Sequence, residues 1–316
     1  IYALNGVVRE TDIGVSVPSD VESLLSSVCR RREAVSTKTE AKRRLRVVLD
    51  PGHGGKFSGA TQNGIDEKEL NLDVALKVRS ILVGRGVDVV MTRTTDTHLD
   101  ENWSKDLDCR VEISNRANAD LFVSIHANSD TRRDSRGSDV FIARESEDAN
   151  ERVARSLQEA PTLAEQKGVL NSERSFTARK IVHRLLFEEK FRRSYILAEC
   201  VSGSLRRNPH DSFNKISDCG FRVVKWTRAP AVLVEMGYIS NPQTAAMFLR
   251  RDYRDFVAKL IAEGLLEYIE RSSSSCDFSD SGQKREEDRK EKRVQPRGEE
   301  GASYSKEREE ELGRRK

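Results

Sequence analysis

The sequence predicts an α/β protein with a largely parallel, twisted sheet and helices on both of its faces. Short apolar runs rich in β-branched residues alternate with longer segments that carry an apolar stripe at helical spacing. The links between these segments are short, which is typical of βαβ units. Ligands bind such sheets at the carboxyl ends of the strands, so we expect the functional residues at that edge.

The first strand is predicted over residues 47–49, and the turn Asp-Pro-Gly-His-Gly-Gly at residues 50–55 ends it. This turn delivers His53 directly after a buried strand. A helix is predicted over residues 67–85, and Gly86 separates it from the next strand, residues 87–91.

A second helix is predicted over residues 107–117, and it leads into a strand over residues 121–125 that ends beside His126. A fourth strand is predicted over residues 140–142. Residues 143–207 then interrupt the alternation, because they are rich in Glu, Arg, Leu and Ala with apolar residues at helical spacing. This stretch predicts a helical insertion of two or three amphipathic helices before the last strands.

The last two strands are predicted over residues 221–226 and 231–235. Asn241-Pro242 is typical of a helix start, because asparagine caps a helix and proline is accepted in its first turn. A final amphipathic helix is predicted over residues 251–269.

Three regions differ in composition. Residues 1–44 lack sustained periodicity and predict an arm or linker, whereas residues 45–270 predict one α/β domain with its insertion at about residues 145–207. Residues 271–316 consist mainly of Ser, Lys, Arg and Glu, which cannot bury enough apolar surface to fold, so we expect a charged, disordered tail. No apolar run is long enough for a transmembrane helix.

Composition excludes few classes of function. The net charge of +3 does not force binding to nucleic acid or to an anionic membrane. The charged tail also lacks the interleaved aromatic residues on which bases stack, so a nucleic-acid partner is not expected. The five cysteines are widely spaced and never form a Cys-x-x-Cys pair, which argues against a disulfide scaffold or a zinc finger and favours free thiols.

Two histidines at matching strand ends, His53 and His126, indicate a metal site. Glu67, at the start of the first long helix, is the best candidate for a third ligand. Acidic residues also occur at helix starts simply because they favour the positive end of the helix dipole. Two histidines, one carboxylate and an open fourth position are nevertheless what a catalytic zinc ion requires.

Glu235 closes the buried apolar run of residues 231–234. A carboxylate is costly to bury unless it is used, and desolvation would raise its pKa. Such a group suits a general base that takes a proton from water at the metal and returns it to a leaving amine. The alternative is a salt bridge to a nearby arginine.

Together these segments resemble, in order, the Amidase_3 family of zinc-dependent N-acetylmuramoyl-L-alanine amidases. The resemblance covers about residues 46–269 and rests on residues 50–55, Glu67-Lys68, Thr92-Arg93, Arg110, Ala117-Asn118, residues 124–128 and residues 234–241. It implies that His53, Glu67 and His126 bind one zinc ion and that Glu235 is catalytic. The implied substrate is peptidoglycan, cut at the amide between N-acetylmuramic acid and L-alanine during cell-wall remodelling or daughter-cell separation.

The resemblance also implies a location and a form of regulation. A periplasmic or cell-envelope protein is expected, and a first residue other than methionine fits a removed signal peptide. In relatives that split dividing cells, an insertion in this region can carry a helix that covers the site until an activator protein displaces it. We expect the same here, with Glu165, Glu173, Glu188 or Glu189 at the metal; alternatively, the insertion packs on the sheet or shapes the glycan groove.

Two other functions compete with this interpretation. A metallocarboxypeptidase-like enzyme acting on stem peptides uses a similar set of ligands, but its first two ligands usually follow a His-x-x-Glu pattern, and Lys56 occupies the position three residues after His53. A non-catalytic module that binds cell wall through a degenerate fold is the second alternative. The retained ligand types and Glu235 argue against it.

Overall fold

The computed structural model describes residues 45–143 and 172–274. The predicted arm, residues 1–44, and nearly all of the predicted charged tail lie outside the described residues, as do residues 144–171 of the predicted insertion. The chain forms two units, Ile1–Glu270 and Arg271–Lys316. Of the second unit, the structure describes residues 271–274, which form the end of the last helix.

The described part contains eight strands and six helices. The strands are β1 (Arg46–Pro51), β2 (Thr61–Gln62), β3 (Ile65–Asp66), β4 (Asp88–Met91), β5 (Leu121–Asn128), β6 (Ser138–Ile142), β7 (Phe213–Asp218) and β8 (Ala231–Tyr238). The helices are α1 (Glu67–Gly84), α2 (Trp103–Arg116), α3 (Ser172–Leu205), α4 (Arg222–Trp226), α5 (Pro242–Leu249) and α6 (Arg251–Ser274).

Six strands form one sheet in the order β4-β1-β5-β8-β6-β7, and β2 pairs with β3 in a separate hairpin. Strands β4, β1, β5 and β8 are parallel, which confirms the prediction of a largely parallel sheet. Strand β6 is antiparallel to β8, and β7 is parallel to β6. The link from β5 to β6 spans only residues 129–137, and a parallel return needs a crossover of about a dozen residues or more, so β6 runs backwards.

Helices cover both faces of the sheet, as predicted. In β1, Val47 and Leu49 face one core while Val48 faces the other, because successive side chains of a strand alternate between faces. Helices α1, α3, α5 and α6 contribute to the first core, and α2 and α4 contribute to the second.

One prediction near the end of the sheet is wrong. Residues 221–226 were expected to form a strand, but Arg222–Trp226 is the short helix α4. Its apolar pair Val223 and Val224 is buried against the second core, and a short apolar run alone does not distinguish a strand from a helix. The strand lies earlier, at β7, an edge strand whose largely exposed residues give no apolar run.

The predicted insertion contains a core helix. Within the described part it is a single helix, α3, and its residues Leu197, Ala198 and Val201 are fully buried in the first core. The Ser194 hydroxyl accepts a hydrogen bond from the backbone N–H of Ala231, at the beginning of β8. The carboxyl-terminal half of α3 therefore packs on the sheet, which was the alternative to a covering helix.

The helix starts follow their capping residues. Helix α2 begins at Trp103, earlier than predicted, because the Asn102 side chain accepts a hydrogen bond from the backbone N–H of Lys105. Helix α5 begins at Pro242 after Asn241, as predicted. Among the described residues, no helix combines the length and the apolar character needed to cross a membrane.

Candidate metal centre

His53, Glu67 and His126 meet at the carboxyl edge of the sheet. His53 follows β1, His126 lies near the end of β5, and Glu67 is the first residue of α1. One ligand atom from each residue lies within 4.8 Å of the others. Sheet register thus brings together side chains that are far apart in the sequence, and the three could hold a metal ion.

The geometry of this group fits a tetrahedral metal. Glu67 Oε1 lies 2.9 Å from His126 Nδ1 and 3.1 Å from His53 Nε2. Bonds of about 2.0–2.1 Å to tetrahedral zinc place ligand atoms about 3.3 Å apart. The other carboxylate oxygen of Glu67 accepts a hydrogen bond from the backbone N–H of Ala60 at 2.9 Å, which orients the carboxylate.

Two glycines allow the ligands to come this close. A Cβ atom at Gly52 would lie 2.1 Å from His126 Cε1, and one at Gly59 would lie 2.4 Å from Glu67 Oε2. Both distances are far below van der Waals contact. Only glycine therefore fits at either position without displacing a candidate ligand.

The backbone of His53 is held in an unusual conformation. Its φ of 63° lies in the left-handed region, which costs a non-glycine residue about 1–2 kcal/mol. The Arg110 guanidinium, 1% exposed, donates hydrogen bonds to the carbonyl oxygens of His53 at 2.8 Å and Pro51 at 2.9 Å. The same guanidinium ion-pairs with Asp50 and Asp106. This fork of hydrogen bonds stabilises the turn that presents the imidazole.

Asp50 completes the hydrogen-bond network beneath the three candidate ligands. It accepts hydrogen bonds from the hydroxyls of Thr92 at 2.7 Å and Ser124 at 2.8 Å, besides its ion pair with Arg110. Burial works to raise the pKa of Asp50, but the Arg110 charge and the two hydroxyls outweigh it and hold this pKa below its ordinary value. Asp50 is therefore a fixed negative charge at neutral pH.

The protonation states of the candidate ligands favour metal binding. Burial works to raise the pKa of Glu67, but hydrogen bonds to His126 and His53 outweigh it and keep this pKa well below its usual range. Burial lowers the pKa of the His126 imidazole. An ionised carboxylate and a neutral imidazole are the forms that bind a metal.

Glu235 lies beside this group. Strand β8 pairs with β5 so that Glu235 is opposite His126, and its side chain is 7% exposed. Adjacent strands are about 4.8 Å apart, so the sheet places the carboxylate one strand beyond the second histidine. The structure thus brings Glu235 to the candidate metal group, and its catalytic role stays a prediction.

Sequence reasoning missed Asp139, which lies opposite Glu235 on β6. Asp139 is 2% exposed. Its Oδ2 accepts hydrogen bonds from Asn214 at 3.3 Å and from Tyr238 at 3.4 Å. Within the described chain, its Oδ1 has no hydrogen-bond partner. Burial raises the pKa of this carboxyl. An acidic residue directly ahead of the apolar run at residues 140–142 was the available signal.

Trp103 was also missed, because α2 was predicted to begin later. Its indole stacks on the His53 imidazole, with ring centroids 5.6 Å apart and 17° between the planes. Phe57 makes a T-shaped contact with the indole, with ring centroids 5.0 Å apart. The Asn-Trp pair at residues 102–103 was a signal for both the helix start and an aromatic residue near the histidine turn.

Two of the four acidic candidates of the predicted insertion, Glu188 and Glu189, lie on a described part of α3 away from the candidate metal ligands. Glu189 ion-pairs with Arg192 and Arg193. Ser194 lies beside Ala231, about 13 Å along β8 from Glu235. Glu188 is exposed on the same part of α3.

The other two acidic candidates lie elsewhere. Glu173 is in the first turn of α3, roughly 31 Å of helix before Ser194. Glu165 lies outside the described residues. The assignment of an acidic residue to the metal therefore stays a prediction.

Comparisons with known proteins agree on one family. The family model described as N-acetylmuramoyl-L-alanine amidase, Amidase_3, matches residues 47–267. The chain is 32% identical over 235 residues to N-acetylmuramoyl-L-alanine amidase AmiA of Salmonella typhimurium, covering 74% of this chain and 78% of the relative. It is 31% identical over 266 residues to AmiA of Escherichia coli, covering 84% and 89%. The solved structure of amidase AmiC2 of Nostoc punctiforme is similar, with 29% identity, a TM-score of 0.52, and coverage of 72% of this chain and 97% of that one.

Proposed function

The chain belongs to the Amidase_3 family of N-acetylmuramoyl-L-alanine amidases, and from this premise we propose that His53, Glu67 and His126 bind the zinc ion of the reaction while Glu235 moves its protons. Members of this family hydrolyse amide bonds of peptidoglycan, and this chain is such a hydrolase. The bond is the amide between N-acetylmuramic acid and L-alanine.

The donor set supports zinc. Two imidazole nitrogens and one carboxylate oxygen converge, and Gly52 and Gly59 leave room for these side chains. These three residues would hold the ion, and three protein ligands are typical of catalytic zinc. When bound there, zinc supplies Lewis acidity towards a water molecule and a carbonyl oxygen. The protein contributes the rigid turn at His53, which Arg110 holds.

Glu235 supplies the proton transfers. The observation that carries the proposal is its place on β8, directly opposite His126 and away from bulk solvent. From there the carboxylate accepts a proton from the attacking water and then donates it to the nitrogen of L-alanine as the amide C–N bond breaks. The products are a free lactyl carboxylate on the sugar and an intact stem peptide.

Replacing Glu235 tests this assignment. We expect Glu235→Gln to bind zinc with wild-type stoichiometry but to lose about 10²–10⁴-fold in turnover, because general acid–base catalysis contributes that factor. Muropeptide digests analysed by mass spectrometry give the rate and the bond cut. Glu112→Gln, on the exposed surface of α2, is the matched control.

Near-wild-type turnover by Glu235→Gln would remove it from the mechanism. A chelator should abolish wild-type activity, and added zinc should restore it. Loss of a terminal D-alanine, in place of release of a stem peptide that begins with L-alanine, would favour the carboxypeptidase alternative.

The substrate and the homologous proteins support a place in the cell envelope, either periplasmic or secreted. An activator protein that relieves autoinhibition remains part of the proposal, and the resemblance to cell-division amidases supports it. In the described part of α3, Leu186 and Tyr195 are large apolar side chains left exposed. Such side chains are suited to contact with a protein partner.

A further inference from the structure

Trp103 is a large aromatic side chain left exposed beside the metal centre. It is 42% exposed although one neighbour stacks on its ring and another makes a T-shaped contact with it. These neighbours, His53 and Phe57, belong to the turn and loop after β1. Because Trp103 is also the first residue of α2, capped by Asn102, the indole is held in place before any ligand arrives.

The strands place Trp103 and Glu235 on opposite sides of the metal group. Across the sheet the order is β4, β1, β5 and β8, so His53, His126 and Glu235 follow one another along the carboxyl edge. The loop that leads from β4 to Trp103 lies against the His53 side, where the backbone N–H of Gly55 donates a hydrogen bond to Asp96 at 2.7 Å. Trp103 therefore lies beyond His53, and Glu235 lies beyond His126.

The order of Trp103, the candidate metal ligands and Glu235 along the edge sets which half of the substrate lies on which side. Under the proposed function, on which this argument rests, Glu235 donates a proton to the nitrogen of L-alanine. The stem peptide, as the leaving group, then extends towards the Glu235 side. The acyl half of the amide, a lactyl group attached to the sugar, extends towards the other side, where Trp103 lies.

We propose that Trp103 is a binding subsite on which the pyranose ring of N-acetylmuramic acid stacks. The C–H groups on one side of a pyranose ring form an apolar surface that packs against an aromatic face. A rigid, exposed indole offers such a face at little entropic cost, and binding sites for small molecules commonly combine aromatic walls with a few polar groups.

Paired substrates test the subsite. One is a muropeptide; the other carries the same stem peptide on a D-lactoyl group without the sugar ring. We expect Trp103→Ala, loaded with zinc, to raise KM about tenfold for the muropeptide and to leave KM for the lactoyl peptide unchanged. Trp103→Phe should recover part of the loss, because phenylalanine keeps a smaller stacking face.

The matched control is Val83→Ala. Val83 is another exposed apolar side chain, at 51%, near the end of α1 and about 24 Å of helix from Glu67. This variant should leave both KM values unchanged. A similar rise of KM on both substrates with Trp103→Ala, together with weaker zinc binding, would mean that the indole only supports His53, and would overturn the subsite.

Fluorescence gives a readout that does not depend on turnover. The chain has two tryptophans, Trp103 and Trp226. Titration of the zinc-loaded protein with the peptide-free disaccharide of N-acetylglucosamine and N-acetylmuramic acid should change the emission of the wild type and of Trp226→Phe, but not of Trp103→Phe. An emission change that persists in Trp103→Phe, or no emission change in the wild type, would overturn the subsite. Failure of the proposed amidase function would appear separately, as absence of amide hydrolysis by the wild type.

Discussion

At the scale of single residues, the candidate metal centre depends on a buried charge that is not one of its candidate ligands. Asp50 pairs with Arg110, and Arg110 holds the carbonyl oxygen of His53 in its left-handed turn. Removing Asp50 would leave the buried Arg110 charge paired with Asp106 alone. Breaking one buried ion pair typically costs about 3–5 kcal/mol. The turn that presents the first histidine therefore depends on a carboxylate three residues earlier.

Asp50→Asn should lower the free energy of unfolding at neutral pH by about 3–5 kcal/mol and change its pH dependence. The pKa of Asp50 is lowered on folding from an ordinary value of 3.8, so its stabilisation is complete above that pH and is lost as the pH falls towards the folded value. Denaturant unfolding between pH 7 and pH 2.5 measures the effect. As the pH falls, the free energy of unfolding should decrease less steeply in the variant than in the wild type, with slopes that differ by up to about 1.4 kcal/mol per pH unit.

The exposed Asp134 provides the control for this experiment, because Asp134→Asn should follow the wild-type profile. An Asp50→Asn profile parallel to that of the wild type would show that Asp50 does not titrate with a depressed pKa.

At the scale of elements, α3 is the helix for which the structure differs most from what the sequence predicted. Its carboxyl-terminal half crosses α6 so closely that a Cβ atom at Gly264 would lie 2.6 Å from Val201 Cα. Lys190 donates hydrogen bonds to the carbonyl oxygens of Val224 and Lys225 at the end of α4. A cation at that end also favours the helix dipole. Deletion of the whole interruption would therefore remove core structure.

Two glycine substitutions test the position of α3. Gly264→Ala should destabilise the fold by about 1–3 kcal/mol, because the methyl group meets backbone atoms that cannot move aside. Gly203→Ala, on the exposed side of α3 with no atom near its Cβ position, should stabilise the fold by about 0.5–1 kcal/mol. Chemical denaturation measures both, and a neutral or stabilising Gly264→Ala would contradict the close crossing.

At the scale of the whole molecule, the predicted autoinhibition can be tested in the full chain. Glu165 lies outside the described residues, whereas Glu188 lies on the part of α3 that neighbours the beginning of β8, away from the metal group. If Glu165 occupies the open coordination position, Glu165→Ala should raise the basal amidase rate several-fold in the full chain. Glu188→Ala should leave that rate unchanged, and equal rates for both variants and the wild type would exclude Glu165 as the blocking residue.

The sequence by itself determined the four parallel strands, most helix positions and the candidate site residues at the strand ends. These features are local, because apolar periodicity reports which side of a segment is buried and Asp-Pro-Gly turns report where a strand stops. Once a parallel sheet is predicted, His53 and His126 must share its carboxyl edge. Glu67 was found by the same reasoning, although it lies 59 residues from His126.

Only the tertiary structure decided the features that depend on contacts between distant segments. The reversed strands β6 and β7, the helix α4 and the core position of α3 follow from how the sheet edge is completed, and no apolar pattern within one segment records that. Trp103 lies at the site because the turn after β1 packs His53 against it, and Asp139 lies there because β6 pairs with β8. The sequence around each of these residues has no unusual pattern. Each acquires a possible role only because the folded chain brings residues from separate segments beside it at the carboxyl edge of the sheet.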